Sequence, residues 1–138
     1  MSKLVEQLKK HEGFSKHVYQ CTAGCDTIGY GFNLDAGMSK RIAELILRDQ
    51  VLVIHLKCIE EFIWFSSLSV ARQGVVINMV YNLGMEGFKK FKKMTTAIAA
   101  GDNSAVVNEM LDSRWAHQVK GRAWELADQW RDDSFISP

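Results

Sequence analysis

The chain has 138 residues, 47% of them hydrophobic, enough for one domain with a core of its own and no need of covalent staples. Seventeen basic side chains against sixteen acidic ones leave a formal charge of +1, which excludes a global field for nucleic acid and leaves any anionic partner to a local patch. Three cysteines, Cys21, Cys25 and Cys58, are an odd and sparse set, unlike the framework of a small secreted domain, and point to synthesis in a reducing compartment.

The opening "MSKLVEQLKKHEGF" carries charges every few residues and lacks the apolar stretch of a signal peptide, and no apolar run is long enough to span a bilayer. Lys3 to His11 places Leu4, Val5 and Leu8 at helical spacing, with Gly13 as the stop, so Glu12 falls at or just past a helix end. From Val18 to Phe32 short groups of β-formers are separated by Ala23-Gly24, Gly29 and Gly31, which predicts an antiparallel hairpin or three short strands. After a polar loop from Asn33 to Gly37, Ser39 caps a long helix in which Ile42, Leu45, Ile46, Leu52, Leu56, Ile59 and Ile63 recur at steps of three and four.

Ser69 and Gly84 bracket a helix whose Val75, Val76, Ile77, Met79, Val80 and Leu83 are apolar nearly all round, the pattern of a central core helix. Helical stretches follow from Phe88 to Ala100, closed by Gly101, and from Ser104 to about Ser113. In "GRAWELADQWRDD", Ala123, Trp124, Ala127 and Trp130 fall on one stripe. The expected fold class is α+β, mainly helical, with a small N-terminal sheet lobe and a larger C-terminal helical lobe in a single domain. The lobe over residues 12–38 is joined by a linking helix over 39–65 to a helical lobe over 66–138.

Glycosidic bond cleavage calls for a carboxylic acid that protonates the leaving oxygen and a second group on the opposite face that positions a nucleophile. Glu12 suits the first role, with partial burial against Phe14, Tyr19 or Phe32 as the means of keeping it protonated. Thr27 has the hydroxyl to hold a water, and Gly29 and Gly31 let a polymer approach the backbone. The bland alternative is an exposed helix-end acid beside an ordinary strand threonine, and spacing alone does not choose between them.

The stretch from His11 to Phe32, "HEGF" through "TIGYGF", resembles the catalytic opening of the phage-type lysozymes. The likeness continues through "INMVYNLG" at Ile77 to Gly84, Phe91, "SRWAHQV" at Ser113 to Val119 and "GRAWELADQW" at Gly121 to Trp130. It implies a muramidase that cuts the β-1,4 bond between N-acetylmuramic acid and N-acetylglucosamine without metal or organic cofactor. Glu12, Cys21 and Thr27 stand at the family's catalytic positions, as acid, as the family's aspartate position and as water-holder. Tyr30, Phe32, Phe91, Arg114 and His117 lie on matching stretches and are carried as substrate-binding, with Arg114 implied to keep the helical lobe in register with the acid. Asn78 and Asn82, two amides one turn apart, either serve the sugar groove or cap neighbouring backbone.

Cys21 departs from the family's aspartate, although several members share the cysteine. A free thiol with a pKa of about 8.5 is mostly neutral near pH 7, and a cation from His17 or Lys16 is the expected means of ionising it. Base or water-holder, soft nucleophile, and spacer for Thr27 and Asp26 are the three roles open to it. Cys21 and Cys25 form a CxxxC spacing that is weak for zinc or redox use. "FKKFKK", Phe88 to Lys93, reads as core aromatics with solvated lysines or as a patch for anionic envelope, and the four tryptophans read as mostly core.

The implied partner is the glycan strand of peptidoglycan, with no nucleic acid, no membrane anchor and a monomeric chain. A phage or prophage endolysin made in the bacterial cytoplasm, reaching the wall once the membrane is breached, is the expected setting. Two other readings stand beside it: a non-catalytic peptidoglycan-binding module of the same fold, and a cysteine hydrolase in which Cys21 and His17 cut peptide stems.

Overall fold

The computed structural model describes residues 1–136, which divide into two compact units, Met1–Ile46 and the chain from Leu47 onward. In the first unit, helix α1 (Ser2–Glu12) ends at Gly13, whose positive φ of 69° turns the chain away and leaves Glu12 as the last helical residue. Strands β1 (Ser15–Gln20), β2 (Asp26–Gly29) and β3 (Phe32–Asn33) form an antiparallel sheet in the order β1-β2-β3, so the three-strand alternative is the one realised. Tyr19 pairs with Thr27, and Thr27 in turn with Asn33, which puts Thr27 in the central strand.

Thr27 is the one buried residue among positions 1–46. Leu4, Val5 and Leu8 make the expected stripe on α1 yet stay about half exposed, so hydrogen bonds rather than an apolar core define this unit. The Cys21 N–H donates to the Cys25 carbonyl at 2.9 Å, and the Leu34 N–H to the Asp26 carbonyl at 2.7 Å. The Asp35 carboxylate accepts from the Asp26 N–H at 3.0 Å, which ties the loop after β3 back to the start of β2.

Helix α2 (Lys40–Glu61) starts where Ser39 accepts the Ile42 N–H on its hydroxyl at 3.2 Å, as its sequence predicts. The helix stops at Glu61, and Ile63 lies beyond it, fully exposed, outside the expected stripe. Leu45, Leu52, Leu56 and Ile59 remain substantially exposed, and Cys58 is the buried residue of α2.

The second unit is organised by α3 (Val70–Lys89), capped by the Ser69 hydroxyl on the Arg72 N–H. Val75, Val76, Met79 and Val80 are buried along one side of it, whereas Val70 and Tyr81 on the opposite side are exposed and Ile77 is only half-buried, so the helix is not covered all round as its apolar pattern suggests. Gly84 breaks the helical backbone with φ 76° and ψ 162°, but the chain resumes helical turns through Lys89 instead of ending there. Phe88 therefore belongs to α3, and the next helix, α4 (Lys92–Ala100), begins only after Phe91 and closes at left-handed Gly101. Helix α5 (Asn103–Leu111) starts one residue earlier than expected because Asp102 supplies the cap, accepting the Ala105 N–H at 3.1 Å. A short helix α6 (Arg114–Val119), capped by Ser113, and α7 (Gly121–Asp132) complete the bundle.

On α7 the stripe is shifted from the expected one: Ala123, Leu126, Ala127 and Trp130 are buried, while Trp124 is 60% exposed. Trp115 and Trp130 are core, and each indole N–H finds an amide oxygen, Asn82 at 2.8 Å and Asn103 at 3.1 Å. Buried Gln129 donates to the Ala71 carbonyl at 2.7 Å and pins α7 to the first turn of α3. Met79 sits fully buried among these contacts. Met79→Ala is expected to cost about 2–5 kcal/mol in urea unfolding and Ser69→Ala about 1 kcal/mol; equal effects would contradict the placement of the core on α3.

Candidate active site

The acid, the thiol and the hydroxyl singled out by sequence all lie in the first unit, on three different supports. Glu12 is exposed at the end of α1, so the expected burial by Phe14, Tyr19 or Phe32 does not occur, and those three rings are themselves exposed. What contacts the carboxylate is backbone. A Cβ placed on Gly31 would lie 2.6 Å from Glu12 Oε2, which would have to swing aside, and the φ of 76° at Gly31 is the constraint that favours glycine at this point. Gly31, which the sequence offers as a point of close substrate approach, lies beside the acid.

Cys21 opens the loop between β1 and β2 and is half-buried. The Cys25 N–H donates to its sulfur at 3.3 Å. Thr27 donates its hydroxyl to the Cys25 carbonyl at 2.9 Å, the same carbonyl that accepts the Cys21 N–H, so one carbonyl joins all three residues. These contacts lower the Cys21 thiol pKa: the backbone amides of Cys25 and then Ala23 favour the thiolate, opposed by desolvation, with the Cys25 thiol and Thr27 hydroxyl adding to it. The ionising groups are dipoles of its own loop, in place of the cation expected from His17 or Lys16. Cys25 moves the other way, its thiol raised chiefly as the hydrogen-bond donor to Cys21 and by the charge there. Burial alone raises Cys58 to about 11.

Tyr30 is exposed and tilts against Phe14 with ring centroids 5.5 Å apart, while Phe32, on β3, is 37% exposed. The remaining sequence-predicted residues lie in the second unit. Asn78 and Asn82 both have partners: Asn78 Oδ1 accepts from Arg122 Nε at 2.9 Å, and Asn82 Oδ1 accepts from the Trp115 indole. Neither side chain caps neighbouring backbone as expected: both accept from side chains of α6 and α7, and among the described residues their amide N–H groups have no acceptor. Half-buried Phe91 meets Trp115 edge to face at 6.1 Å. Arg114 and His117 are exposed at the start and last turn of α6.

Arg122, beside the apolar stripe of "GRAWE", leaves no periodic signal of its own in the sequence. It also donates to the Asn78 carbonyl at 3.3 Å and is half-buried. Arg122 and Asn78 line a cavity of about 620 Å³ whose other walls are mostly apolar, including Leu47, Val51, Ile77 and Phe135. Among the described residues no three of His, Cys, Asp and Glu converge on a point suited to a metal ion.

The first unit thus carries a carboxyl group beside a glycine and a thiol whose pKa is lowered by the backbone amides of its own loop. The model of the phage lysozyme family matches residues 9–131, and the chain belongs to that family. The chain is also 25% identical to the pre-baseplate central spike protein Gp5 of Enterobacteria phage T4, over 87% of this chain and 26% of that protein. It thus spans about a quarter of the length of this relative.

Alkylation should follow the order of the thiols: as pH rises, iodoacetamide is expected to modify Cys21 first, with a midpoint below that of an unperturbed thiol, then Cys25, and Cys58 only at about 11. Peptide mapping reads the order, and Cys25 reacting first would contradict the assigned donor. Gly31→Ala should displace the Glu12 carboxylate and reduce wall-lysing activity at least about tenfold while the helical unit keeps its melting transition; unchanged turnover would show that the Glu12 contact is incidental.

Proposed function

We propose that the chain is a muramidase that hydrolyses the β-1,4 bond between N-acetylmuramic acid and N-acetylglucosamine. Glu12, in its protonated form, gives its proton to the glycosidic oxygen as the C1–O bond breaks. Water attacks C1 from the opposite face, and its proton passes to the Cys21 thiolate, which inverts the anomeric centre. Proton exchange with solvent then returns both groups to their starting states. Thr27 acts by donating its hydroxyl to the Cys25 carbonyl, the same carbonyl that accepts the Cys21 N–H, and its lone pairs are assigned to the attacking water. The observation that supports this reading most is the Cys25 N–H on the Cys21 sulfur, because a thiolate held by amides can do a carboxylate's work as base and acceptor.

Tyr30, Phe32, Phe91, Arg114 and His117 are assigned to the glycan. An endolysin made in the bacterial cytoplasm and released to the wall when the membrane is permeabilised is the setting proposed, with one chain acting alone. The likeness to a central spike protein supports a second setting, in which the same chemistry is carried by a phage particle. Mass spectrometry of purified virions distinguishes the two.

Turbid suspensions of permeabilised Gram-negative cells should clear with the natural chain and fail to clear with Glu12→Gln, a loss of about a thousandfold or more. Cys21→Asp should retain activity, and Cys21→Ala should lose at least about a hundredfold. Lysis by all variants alike would refute the assignment, and no lysis by any would favour the binding module. Released fragments should be disaccharide units with intact stems; cut stems would favour a cysteine hydrolase.

A further inference from the structure

A polar pocket of about 470 Å³ lies on the second unit where α3, α5 and α7 meet, lined by Arg72, Asn103, Ser104, Val107, Asn108 and Arg131. Five of these six carry hydrogen-bond donors, and no carboxylate lines the pocket. In that it differs from the grooves beside Lys92 and Lys93, where Glu109 lies among the lysines.

Arg72 is the fixed element. Its guanidinium stacks over the Trp130 ring at 5.5 Å, and its Nε–H donates to the Trp130 carbonyl at 3.0 Å. Asp133 approaches Nε at 3.9 Å, and the side chain is 20% exposed. Both terminal amino groups of Arg72 are without a protein acceptor among the described residues. A guanidinium held by its Nε edge with its terminal nitrogens free is preorganised for a bidentate oxyanion. Arg131 is held by Asp128 at 2.6 Å through Nη1, which leaves its other nitrogens for the pocket. Asn103 gives its oxygen to the Trp130 indole, so what it retains is its amide N–H₂ group. Asp128 and Asp133 balance the two arginines from outside the lining, so recognition rests on directed donors, not on a broad positive field.

We propose that this pocket binds a phosphate group, free or as a monoester, by the terminal nitrogens of Arg72, the Arg131 guanidinium and the amides of Asn103 and Asn108. The site is independent of the glycan chemistry, since none of its residues is used there.

The test is a titration of the full-length ¹⁵N-labelled chain with inorganic phosphate at ionic strength held constant with sodium chloride, read at the Arg72 Nε–H and the Asn103 and Asn108 side-chain amides. Saturable shifts are expected, weakened at least about tenfold in Arg131→Gln, which removes a charge-assisted donor. Ser104→Asp, which sets a carboxylate in the pocket, should abolish them while leaving the melting temperature of the chain within a few degrees. Glucose 6-phosphate as a second probe separates the sources: comparable affinity marks a site for esterified phosphate, and exclusion marks one for the free ion. Shifts that grow linearly without saturation, or affinities unchanged in both variants, would overturn the proposal.

Discussion

The second unit is governed by one constraint, that the side of α3 carrying Val75, Val76, Met79 and Val80 must be kept from water. The chain that follows returns to α3 in α7 and, through the Trp115 indole on Asn82, in α6. The later helices come in short pieces, each ended by a left-handed residue or started by a side-chain cap such as Asp102 or Ser113. The polar groups this brings inside are paired one to one: Gln129 with the Ala71 carbonyl, and the indoles of Trp115 and Trp130 with Asn82 and Asn103. Such pairs set the rotation of α6 and α7 about their own axes, which apolar contact alone leaves loosely specified.

The first unit obeys a different rule. Its shape comes from turns and backbone bonds concentrated between Cys21 and Asp35, and the chemistry grows out of that economy of side chains. The loop that closes β1 onto β2 has to aim amides inward, and a thiol placed there becomes the acceptor for them. An aspartate at the same position would meet the same donors. The loop thus lowers the pKa of the Cys21 thiol through the amides of Cys25 and Ala23 and raises that of Cys25, whose thiol donates to it.

Element types were legible wherever periodicity was strong. Ser39 and Ser69 were readable as caps because each precedes an apolar run, and the glycines at 13 and 101 stop helices as their sequence context suggests. The failures share a cause, tertiary contact overriding local pattern. Gly84 interrupts α3 without ending it because buried Phe88 draws the following turn back into the core. Trp124 satisfies the spacing of the α7 stripe but lies outward, since Leu126 fills the place. At the site, the residue types were readable, while the contacts that give them meaning were not: Glu12 against Gly31 and Arg122 against Asn78 cross many residues and leave no periodic trace.

Uneven burial also has a consequence for how the molecule fails. Between Met1 and Ile46 Thr27 alone is buried, whereas the core cluster draws on residues from Cys58 to Trp130. Segments with few buried contacts open at lower free energy than the global transition. Glu12 and Cys21 therefore stand on the part of the chain that opens at the lower free energy. In such a molecule calorimetry reports the helical core, while amide exchange between Cys21 and Asp35 reports the opening of a hydrogen-bonded loop.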